Sequence, residues 1–456
     1  METQTRKRNV SPVKTSESKE SQVAEVGVGV QSVQTDSTSS FPYLGVLVLV
    51  VTLSCTGVVK LTPDHPVSIA LLSHIDSTLT TLGLCQAVYA VVLDAGSTGS
   101  RVLTFSFNKN PLTGNLVLEE ELFHEVKPGL SSFAGNPGAG ADTISSLLSL
   151  AQARIPQDKW STVPVTLKAT AGLRLLPSEQ AEALISAVQE MMDLSGFDNR
   201  GVGMLSELDE GVFGWMTINY LMKQLHLPRK SYVALDLGGG STQITFLPKY
   251  EKTFSYSPSS YLHPIKVFTT PHTIYSHSYL GLGLMAAREA IFKYNDPEGS
   301  TALTSPCMVT TTSTAWEFHG KNYTITPSTT LSGYEACMLE VQAVIDSLGV
   351  DQCEEVPTRK IAAFSYFHDR AVDAGLISPG QSGVVTVQQF LDSAQASCNQ
   401  QATDSKEAFL CVDLSFISGL LHHGYRLKAQ AKLGLYKQIN GHETSWALGA
   451  AFDMLE

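Results

Sequence analysis

The sequence predicts an α/β protein of two similar lobes with a ligand cleft between them. Two similar stretches indicate the duplication: VVLDAGSTGSRVLTF, which begins at Val91, and VALDLGGGSTQITF, which begins at Val233. Each has the pattern of a β-hairpin whose strands are joined by an Asp and a loop of small residues. Around them, strand-like apolar segments alternate with helical ones, as in α/β folds. The chain of 456 residues is long enough for two or three domains.

The composition is that of a globular protein with a small-molecule ligand. Hydrophobic residues make up 43% of the chain, and the net charge is −12 at pH 7. Because 43 Asp and Glu residues outnumber 31 Lys and Arg residues, the clustered positive charge that nucleic-acid binding needs is not expected. We therefore expect no nucleic-acid partner. The oligomeric state stays unknown from composition.

The amino-terminal part is predicted to precede the folded region. Residues 1–40 have few large apolar side chains, so we expect a disordered tail. The uncharged run 41–59 has 19 residues, just enough to cross a hydrocarbon core about 30 Å thick. Lys and Arg residues ahead of it favour a cytosolic tail, a single-pass signal anchor and a lumenal folded part. A cleaved signal peptide and a buried core segment are the alternatives. Residues 60–87 are interpreted as a stem.

The folded part is expected to begin near Val88. After the first hairpin, GLSSFAGNPGAGAD has the composition of a loop, and a helix is predicted from about Asp142 to Arg154. A strand ending at Thr170 follows. The next helix is predicted from Ser178, where Ser, Glu and Gln are typical of a helix amino terminus.

Three acidic residues lie where a short strand enters a helix in GVGMLSELDEGVFGWMTINYLMKQL. They could serve only to favour the helix dipole. Glu210, however, directly precedes Gly211, a residue type that lets the backbone approach a ligand closely. We assign 88–205, completed by 441–456, to the first lobe and 206–440 to the second.

The two hairpin loops have the features of a phosphate site. Consecutive small residues expose backbone N–H groups that can surround phosphate oxygens. Neither loop contains a lysine or matches the Walker or dinucleotide pattern. We therefore expect a divalent cation, held through water by Asp94 and Asp236, to offset the phosphate charge. An ordinary hairpin turn is the alternative for either loop taken alone.

The cysteines favour an oxidising compartment. Five of the seven lie in the second half of the chain, and no zinc-like spacing occurs, so disulfides are expected. Cys398 and Cys411 bound a short polar segment that a disulfide could close. Asn322 in NYT is a candidate glycosylation site.

Five segments, in order, resemble the apyrase conserved regions of the ecto-nucleoside triphosphate diphosphohydrolase family. They are DAGSTGSR from Asp94, KATAGLRLLP from Lys168, SELDEGVFGWMTINYL from Ser206, DLGGGSTQITFLP from Asp236 and ETSWALGAAFDML from Glu443. Two further segments, AAFSYFHDRAVDAGLI and SYLGLGLMAARE, are similar to those of the one-span or secreted nucleoside diphosphatases of the secretory pathway. The first departs from that pattern at His368, where an aromatic residue is more usual, so the nucleobase preference stays open.

The resemblance implies a two-lobed actin-like, ribonuclease H-like fold and a catalytic Ca²⁺ or Mg²⁺. It implies hydrolysis of nucleoside diphosphates, with UDP and GDP preferred over triphosphates, in the Golgi or endoplasmic reticulum membrane or after secretion. It also implies the disulfides Cys307–Cys337 and Cys398–Cys411, which leaves Cys353 unbridged. A broad surface triphosphatase, a sugar kinase and a non-catalytic nucleotide-binding module are alternatives, because one scaffold can host several functions.

The resemblance also assigns roles to individual residues. Glu210 matches the catalytic glutamate and would be the base for the attacking water. Thr170, Ser241 and Gln243 match positions that order the water or the metal shell. The phosphates would be held by two loops and an arginine, namely Ser97, Thr98, Gly99, Ser100, Gly238, Gly239, Gly240, Ser241, Thr242 and Arg174.

Two of these side chains have alternative interpretations. Arg174 could supply a fixed positive charge to the phosphates or pair with a carboxylate. Trp446 could contact the nucleoside together with Tyr366, or it could close the core between the lobes.

Overall fold

The first sheet is built from β1 (Gln86–Ala95), β2 (Ser100–Lys109), β3 (Leu116–Val126), β4 (Pro164–Ala169) and β5 (Asp198–Met204). Its strand order is β3-β2-β1-β4-β5. β2 is antiparallel to both β1 and β3, whereas β4 runs parallel to β1 and β5 runs parallel to β4. The predicted first hairpin is therefore confirmed, and it begins slightly before Val88.

The second sheet begins with β6 (Val233–Leu237), β7 (Ser241–Phe246), β8 (Leu262–Val267) and β9 (Thr270–Leu280). A separate small sheet follows, made of β10 (Ala302–Ser305), β11 (Thr314–Phe318) and β12 (Lys321–Pro327). The second sheet is completed by β13 (Ile361–Ser365), β14 (Gly383–Thr386) and β15 (Lys432–Leu435). A short hairpin then joins β16 (Gln438–Ile439) to β17 (His442–Glu443).

The strand order of the second sheet repeats that of the first. Its order is β14-β15-β13-β6-β7-β9-β8. Within it, β9-β7-β6-β13-β15 has the same order and the same strand directions as β3-β2-β1-β4-β5. This repetition confirms the duplicated α/β architecture predicted from the two similar stretches.

The helices are α1 (Pro137–Arg154), α2 (Ala171–Arg174), α3 (Ser178–Asp193), α4 (Glu207–Leu221), α5 (Glu251–Tyr256), α6 (Leu284–Phe292), α7 (Tyr334–Ser347), α8 (Tyr366–Asp373), α9 (Val387–Asn399), α10 (Leu410–Gly419) and α11 (Ala447–Leu455). The expectation of a loop before Asp142 is partly wrong. Helix α1 begins at Pro137 because the Asn136 side chain accepts a hydrogen bond from the Ala139 N–H (3.3 Å) and Pro is favourable in a first turn. The side-chain cap expected for Ser178 is also absent, since Pro177 holds the cap position.

Three apolar cores hold these layers together. One lies between the first sheet and helices α1 and α3. A second contains α4 and α11, which pack respectively on the second and the first sheet. The third covers the other face of the second sheet under α6, α7, α9 and α10. Successive residues of β1 alternate between two of these cores, since Val91 joins the first and Val92 the second.

The cysteine-rich region lies in the third core. Cys307 is bonded to Cys337, and Cys398 to Cys411, which is the pairing that the resemblance implies. Cys353 is half-buried and takes part in neither bridge. Asn322 is exposed on β12, so its side chain is accessible.

The computed structural model describes residues 78–455 except 80, 97–98, 112–113, 175, 226–229, 268–269, 297–298, 319, 331 and 403–406. The predicted tail, the apolar run 41–59 and most of the stem lie outside the described residues. Among the helices that are described, none combines the length and the apolar character needed to cross a membrane. The lobe limits assigned from the sequence remain a proposal.

Candidate active site

The two similar hairpins place an Asp at equivalent positions in the two sheets. Asp94 in β1 lies opposite Arg101 of β2, and Asp236 in β6 lies opposite Gln243 of β7. Both Asp residues are buried, with 7% and 9% of their surface exposed. The fold duplication therefore repeats one acidic position, and both positions line the same cavity.

Asp94 is held by an arginine that was not predicted as a site residue from the sequence. Arg101 Nη1 donates to Asp94 Oδ2 at 2.9 Å, and Arg101 Nη2 lies 2.7 Å from Glu125 Oε1. This row forms because Arg101 pairs with Asp94 on one side and with Glu125 of β3 on the other. Burial raises the pKa of Asp94, and the Arg101 charge works against that effect.

Asp236 contacts the amino end of α8. The pKa of Asp236 is raised to about 6, because burial and the Asp94 charge, which raise it, outweigh the Ser365 hydrogen bond and the Arg101 charge, which lower it. Ser365 has φ 58° and ψ −131°, a backbone conformation that a non-glycine residue rarely adopts. Ser365 lies close to Asp236 because β13 pairs with β6 in a register that sets Ser365 opposite Leu237, the residue after Asp236. No sequence motif indicated this contact.

The two Asp residues fit a hydrated divalent cation. Asp94 Oδ1 and Asp236 Oδ1 are buried, and neither accepts a hydrogen bond from a described residue. A buried acceptor without a partner costs about 1–3 kcal/mol. A cation with water ligands would satisfy both oxygens and offset the repulsion between the carboxylates.

Glu210 lies in the first turn of α4, close to the two Asp residues. The Ser206 side chain caps this helix by accepting a hydrogen bond from the Asp209 N–H (3.0 Å). Glu210 is 6% exposed. The pKa of Glu210 is raised to about 7, because burial and the charges of Asp236 and Asp94, which raise it, outweigh the lowering by Arg174. A carboxyl group with this pKa is suited to accept a proton near neutral pH.

Arg174 binds the glutamate. Its Nη2 donates both to Glu210 Oε2 and to the Leu205 carbonyl oxygen, each at 2.9 Å. The sequence left two roles for Arg174, a charge for the phosphates or a pair with a carboxylate. The structure contains the ion pair with a carboxylate. Arg174 is not among the residues that line the cavity.

Gly211 was expected from the sequence to let the backbone approach a ligand. In the structure it lets a helix pack against strands instead. A side chain at Gly211 would lie 2.5 Å from both Ser276 Oγ and Thr245 Oγ1. The glycine therefore lets α4 pack closely on β7 and β9. Because Glu210 directly precedes Gly211, this close packing places Glu210 at the cavity wall.

The second loop is fixed by the amino end of α6. The carbonyl of Gly238 accepts a hydrogen bond from the Leu284 N–H, and that of Gly239 accepts one from the Met285 N–H, both at 2.9 Å. Gly238 and Gly239 line the cavity. The loop thus presents backbone to the cavity on one side and binds a helix on the other.

Gln243 lies beneath this loop and is 2% exposed. Its Nε2 donates to Ser241 Oγ at 2.9 Å and to Ser278 Oγ at 3.0 Å. Gln243 Oε1 is buried and accepts no hydrogen bond from a described residue. Thr242 Oγ1 donates to the Asp236 carbonyl oxygen (2.7 Å), so it supports the loop from within.

Residues of the first loop are only partly described. Ser97 and Thr98 lie outside the described residues. Gly96 lines the cavity, Gly99 lies against Glu125, and Ser100 is fully buried. Thr170 also lines the cavity, where its N–H donates to the Ala95 carbonyl oxygen (3.3 Å).

A cavity of ≈ 470 Å³ extends from this centre to a second region, which Tyr366 and Trp446 border. Trp446 borders the cavity but is only 4% exposed and belongs to the core around α4 and α11. Tyr366 is half-buried, and the Arg370 guanidinium lies 5.8 Å from the centre of its ring. Several polar residues of this wall carry no sequence signal that predicts a site, among them Asp369, Lys437 and Glu443.

Residues 85–456 match the model of the GDA1/CD39 (nucleoside phosphatase) family. The chain is 41% identical over 379 residues to nucleoside diphosphate phosphatase ENTPD5 of Homo sapiens, covering 81% of this chain and 88% of the relative. It is 39% identical over 378 residues to ectonucleoside triphosphate diphosphohydrolase 6 of Mus musculus, covering 81% and 82%. A crystal structure of nucleoside triphosphate hydrolases from Neospora caninum matches with a TM-score of 0.59 and 13% identity, covering 84% of this chain and 96% of that chain. This last likeness concerns the two-lobed actin-like fold alone.

Proposed function

Because this chain belongs to the GDA1/CD39 nucleoside phosphatase family and is a nucleotide-hydrolysing enzyme, we propose that it converts nucleoside diphosphates into nucleoside monophosphates and phosphate. UDP and GDP are the preferred substrates in this proposal, and triphosphates react less well. The observation that carries it is Glu210, buried beside two carboxylates that each have an unpartnered oxygen.

Glu210 is the base of the proposed reaction. Its carboxylate accepts a proton from water while the water oxygen bonds to the terminal phosphorus. The bond from that phosphorus to the bridging oxygen breaks, and the nucleoside monophosphate leaves with the electron pair. Arg174 orients Glu210 through the 2.9 Å contact between Nη2 and Oε2. Gln243, with a buried unpartnered oxygen, and Thr170 position the water.

The phosphate chain is held by the two loops. The backbone of Gly96, Gly238 and Gly239 borders the cavity and is proposed to bind phosphate oxygens. Asp94 and Asp236 would hold Ca²⁺ or Mg²⁺, which neutralises phosphate charge when bound; the family generally depends on divalent cations. Arg101 adds a positive charge beside Asp94.

The cellular setting is proposed from the sequence and from the relatives. A signal anchor at 41–59 would place the folded part in the lumen of the Golgi or endoplasmic reticulum, where Asn322 would carry a glycan. There the enzyme would clear the nucleoside diphosphate that glycosyltransferases release. Cleavage in the stem would give a secreted form.

Phosphate release by the full-length protein tests the proposal. We expect UDP and GDP to be hydrolysed faster than ADP and ATP, and only with a divalent cation. Asp94→Ala and Asp236→Ala should lower the rate and raise the cation concentration needed for half-maximal activity. Asp392→Asn, an exposed substitution on α9, is the control. Turnover of ATP that equals or exceeds that of every diphosphate would favour the broad triphosphatase instead.

A further inference from the structure

The cavity is lined by several charged side chains that the proposed hydrolysis does not use, among them an acidic group on α8 and a basic group after β15. Asp369 of α8 and Lys437, two residues after β15, both line the cavity. The Asp369 side chain is 44% exposed, and Lys437 is exposed as well. Within the described part of the chain, Lys437 makes no ion pair. Both groups are thus accessible to a ligand.

The sheet order sets their distance from the phosphate centre. β6 carries Asp236, β13 is its parallel neighbour and leads into α8, and β15 is the next strand. The Tyr436 N–H donates to the Ala363 carbonyl oxygen (3.1 Å), which holds the chain before Lys437 beside β13. Because neighbouring strands lie about 4.8 Å apart, the polar pair lies one to two strands from Asp236 along the same edge. Asp236, Asp369 and Lys437 line one continuous cavity, in which a ribose would link the phosphates to the base.

His368 fixes the carboxylate. It is 2% exposed; its Nε2 lies 2.9 Å from the Gln381 carbonyl oxygen, and its Nδ1 lies 3.4 Å from Asp369 Oδ1. Burial acts to raise the pKa of Asp369, but the His368 hydrogen bond and the Lys437 charge outweigh it and hold that pKa below its ordinary value. Asp369 is therefore an ionised acceptor at neutral pH.

We propose that Asp369 and Lys437 recognise the imide edge of the nucleobase, in which a ring N–H stands next to a carbonyl. Asp369 accepts the hydrogen bond from the ring N–H, and Lys437 donates to the carbonyl oxygen. Uracil has this edge at N3–H and O4, and the 6-oxopurines guanine and hypoxanthine have it at N1–H and O6. This inference rests on the proposed function and assigns its base preference to two residues.

Adenine and cytosine present the reversed pattern. Each has a ring nitrogen that only accepts and an amino group that only donates, so Asp369 would face a lone pair and Lys437 an N–H group. A site that binds a substrate N–H loses its own hydrogen bonds when that group is missing, which is how such sites reject analogues. The pair therefore explains selection of UDP and GDP over ADP and CDP by one mechanism.

The proposed base recognition is tested by changing the base of the substrate and by changing the two side chains of the enzyme. For the full-length wild-type enzyme we expect kcat/KM for UDP to exceed that for 3-methyluridine diphosphate, which lacks the N3–H, by about 10- to 100-fold, the range of hydrogen bonds to charged groups. In Asp369→Asn and in Lys437→Met, kcat/KM for UDP, GDP and IDP should fall by a similar factor. Values for ADP and CDP should stay constant or rise, because the mismatched charges are removed. The separate UDP and GDP arms distinguish a site for uracil from one for oxopurines.

Matched controls separate recognition from damage to the fold. Asp392→Asn and Lys432→Met alter exposed residues away from the cavity and should leave the UDP to ADP ratio at the wild-type value. Ribose 5-diphosphate, which has no base, should be hydrolysed equally by wild type and Asp369→Asn. An equal loss toward all substrates in both cavity variants, or a wild type that does not distinguish UDP from 3-methyluridine diphosphate, would overturn the proposal.

Binding provides a readout that does not depend on turnover. We expect calorimetry with the Glu210→Gln variant to show tighter binding of UDP than of ADP, and the difference to disappear when Asp369→Asn is added. If the wild type hydrolysed no nucleoside diphosphate, the proposed function would fail, and this measurement would still decide on base recognition. Equal affinity for UDP and ADP would reject the inference even for an active diphosphatase.

Discussion

At the scale of single residues, the protonation of Glu210 is the outcome of opposing effects. Burial raises its pKa, and the guanidinium of Arg174 lowers it, while the charges of Asp236 and Asp94 raise it again, with a result of about 7. A base with a pKa near the working pH is half ionised there and accepts protons readily. The arginine thus has a positioning and an electrostatic role at once.

This balance predicts the pH dependence of the reaction. If the ionised form of Glu210 is the base, as proposed, kcat/KM should increase about tenfold per pH unit below 7 and level off above it. A bound cation stabilises the Glu210 carboxylate, so the rising limb of the pH profile of kcat/KM should move to lower pH at saturating metal. Glu210→Gln should lower kcat by about 10²–10⁴-fold and remove the limb, with thermal stability retained. Near wild-type turnover in that variant would show that the base is another group.

A second buried carboxyl group makes a prediction about stability. Glu121 of β3 has a side chain that is 4% exposed, and both its oxygens accept from the Glu443 N–H at 3.2 Å. Burial raises its pKa to about 8, although the Glu443 hydrogen bond works against the shift. Since the folded-state pKa is above the ordinary 4.5, the stability contributed by the protonated form is complete below about 4.5 and is lost as the pH rises through about 8.

Glu121→Gln keeps a hydrogen-bond acceptor and cannot ionise. We therefore expect the melting temperature of this variant, relative to wild type, to rise from pH 5 to pH 9 in scanning calorimetry. Glu119→Gln, at an exposed position of the same strand, should show no such trend. A constant difference between Glu121→Gln and wild type across the pH range would contradict the assignment.

At the scale of elements, the glycine loop 238–240 and helix α6 form one unit. The first N–H groups of a helix have no partner within it, and here the carbonyls of Gly238 and Gly239 accept them. The approach is close because a Cβ added at Gly283 would overlap the backbone of Gly240 and Ser241. Glycine is therefore needed at this position for packing.

Gly283→Ala tests this coupling. The methyl group should separate α6 from the loop and lower the stability by about 1–3 kcal/mol, the usual cost of overpacking. The Michaelis constant for UDP should also increase, because the loop that borders the cavity must shift. Gly135→Ala, where an added Cβ meets nothing within 4 Å, is the matched control. An unchanged melting temperature and Michaelis constant in Gly283→Ala would mean that the loop adapts.

At the scale of the whole molecule, the two sheets differ in how their outer layers are stabilised. The first sheet is covered by α1 and α3, and the described residues of the core between them include no cysteine. The second is covered by α7, α9 and α10, where the sulfurs of Cys337, Cys398 and Cys411 lie within 4.8 Å of one another. Both bridges therefore meet in a single core, and their effect should be confined to that half.

Removing the bridge between residues 398 and 411 with a double Cys→Ser substitution should cost about 3 kcal/mol on the chain-entropy model for a loop of this length. Hydrogen exchange should then increase first in α9 and α10, while β1 and β4 stay protected. Cys353→Ser, which alters a cysteine in neither bridge, should leave exchange unchanged. Equal loss of protection in both sheets would contradict the local effect.

Local signals account for what could be predicted. The two hairpins, the helix at Ser178 and the positions of Asp94 and Asp236 follow from strand alternation, small-residue loops and helix periodicity, which depend on neighbouring residues. Glu210 was indicated by the family resemblance, since the glycine beside it serves packing. The start of α1 was misjudged because a glycine-rich composition masked the cap and the proline of a first turn. Arg101 had one usable signal, since it stands seven residues after Asp94 as Gln243 stands after Asp236.

By itself, the sequence determined the duplicated α/β architecture, the family and the acidic centre of the site. The tertiary structure decided which groups meet there. Arg174 pairs with Glu210, and Ser365 donates a hydrogen bond to Asp236. Asp369 and Lys437 line one cavity. For Ser365, Asp369 and Lys437, the physical reason is that parallel pairing of β6, β13 and β15 joins segments more than 60 residues apart. For Arg174, it is that the contact joins segments 36 residues apart. No local pattern encodes either arrangement.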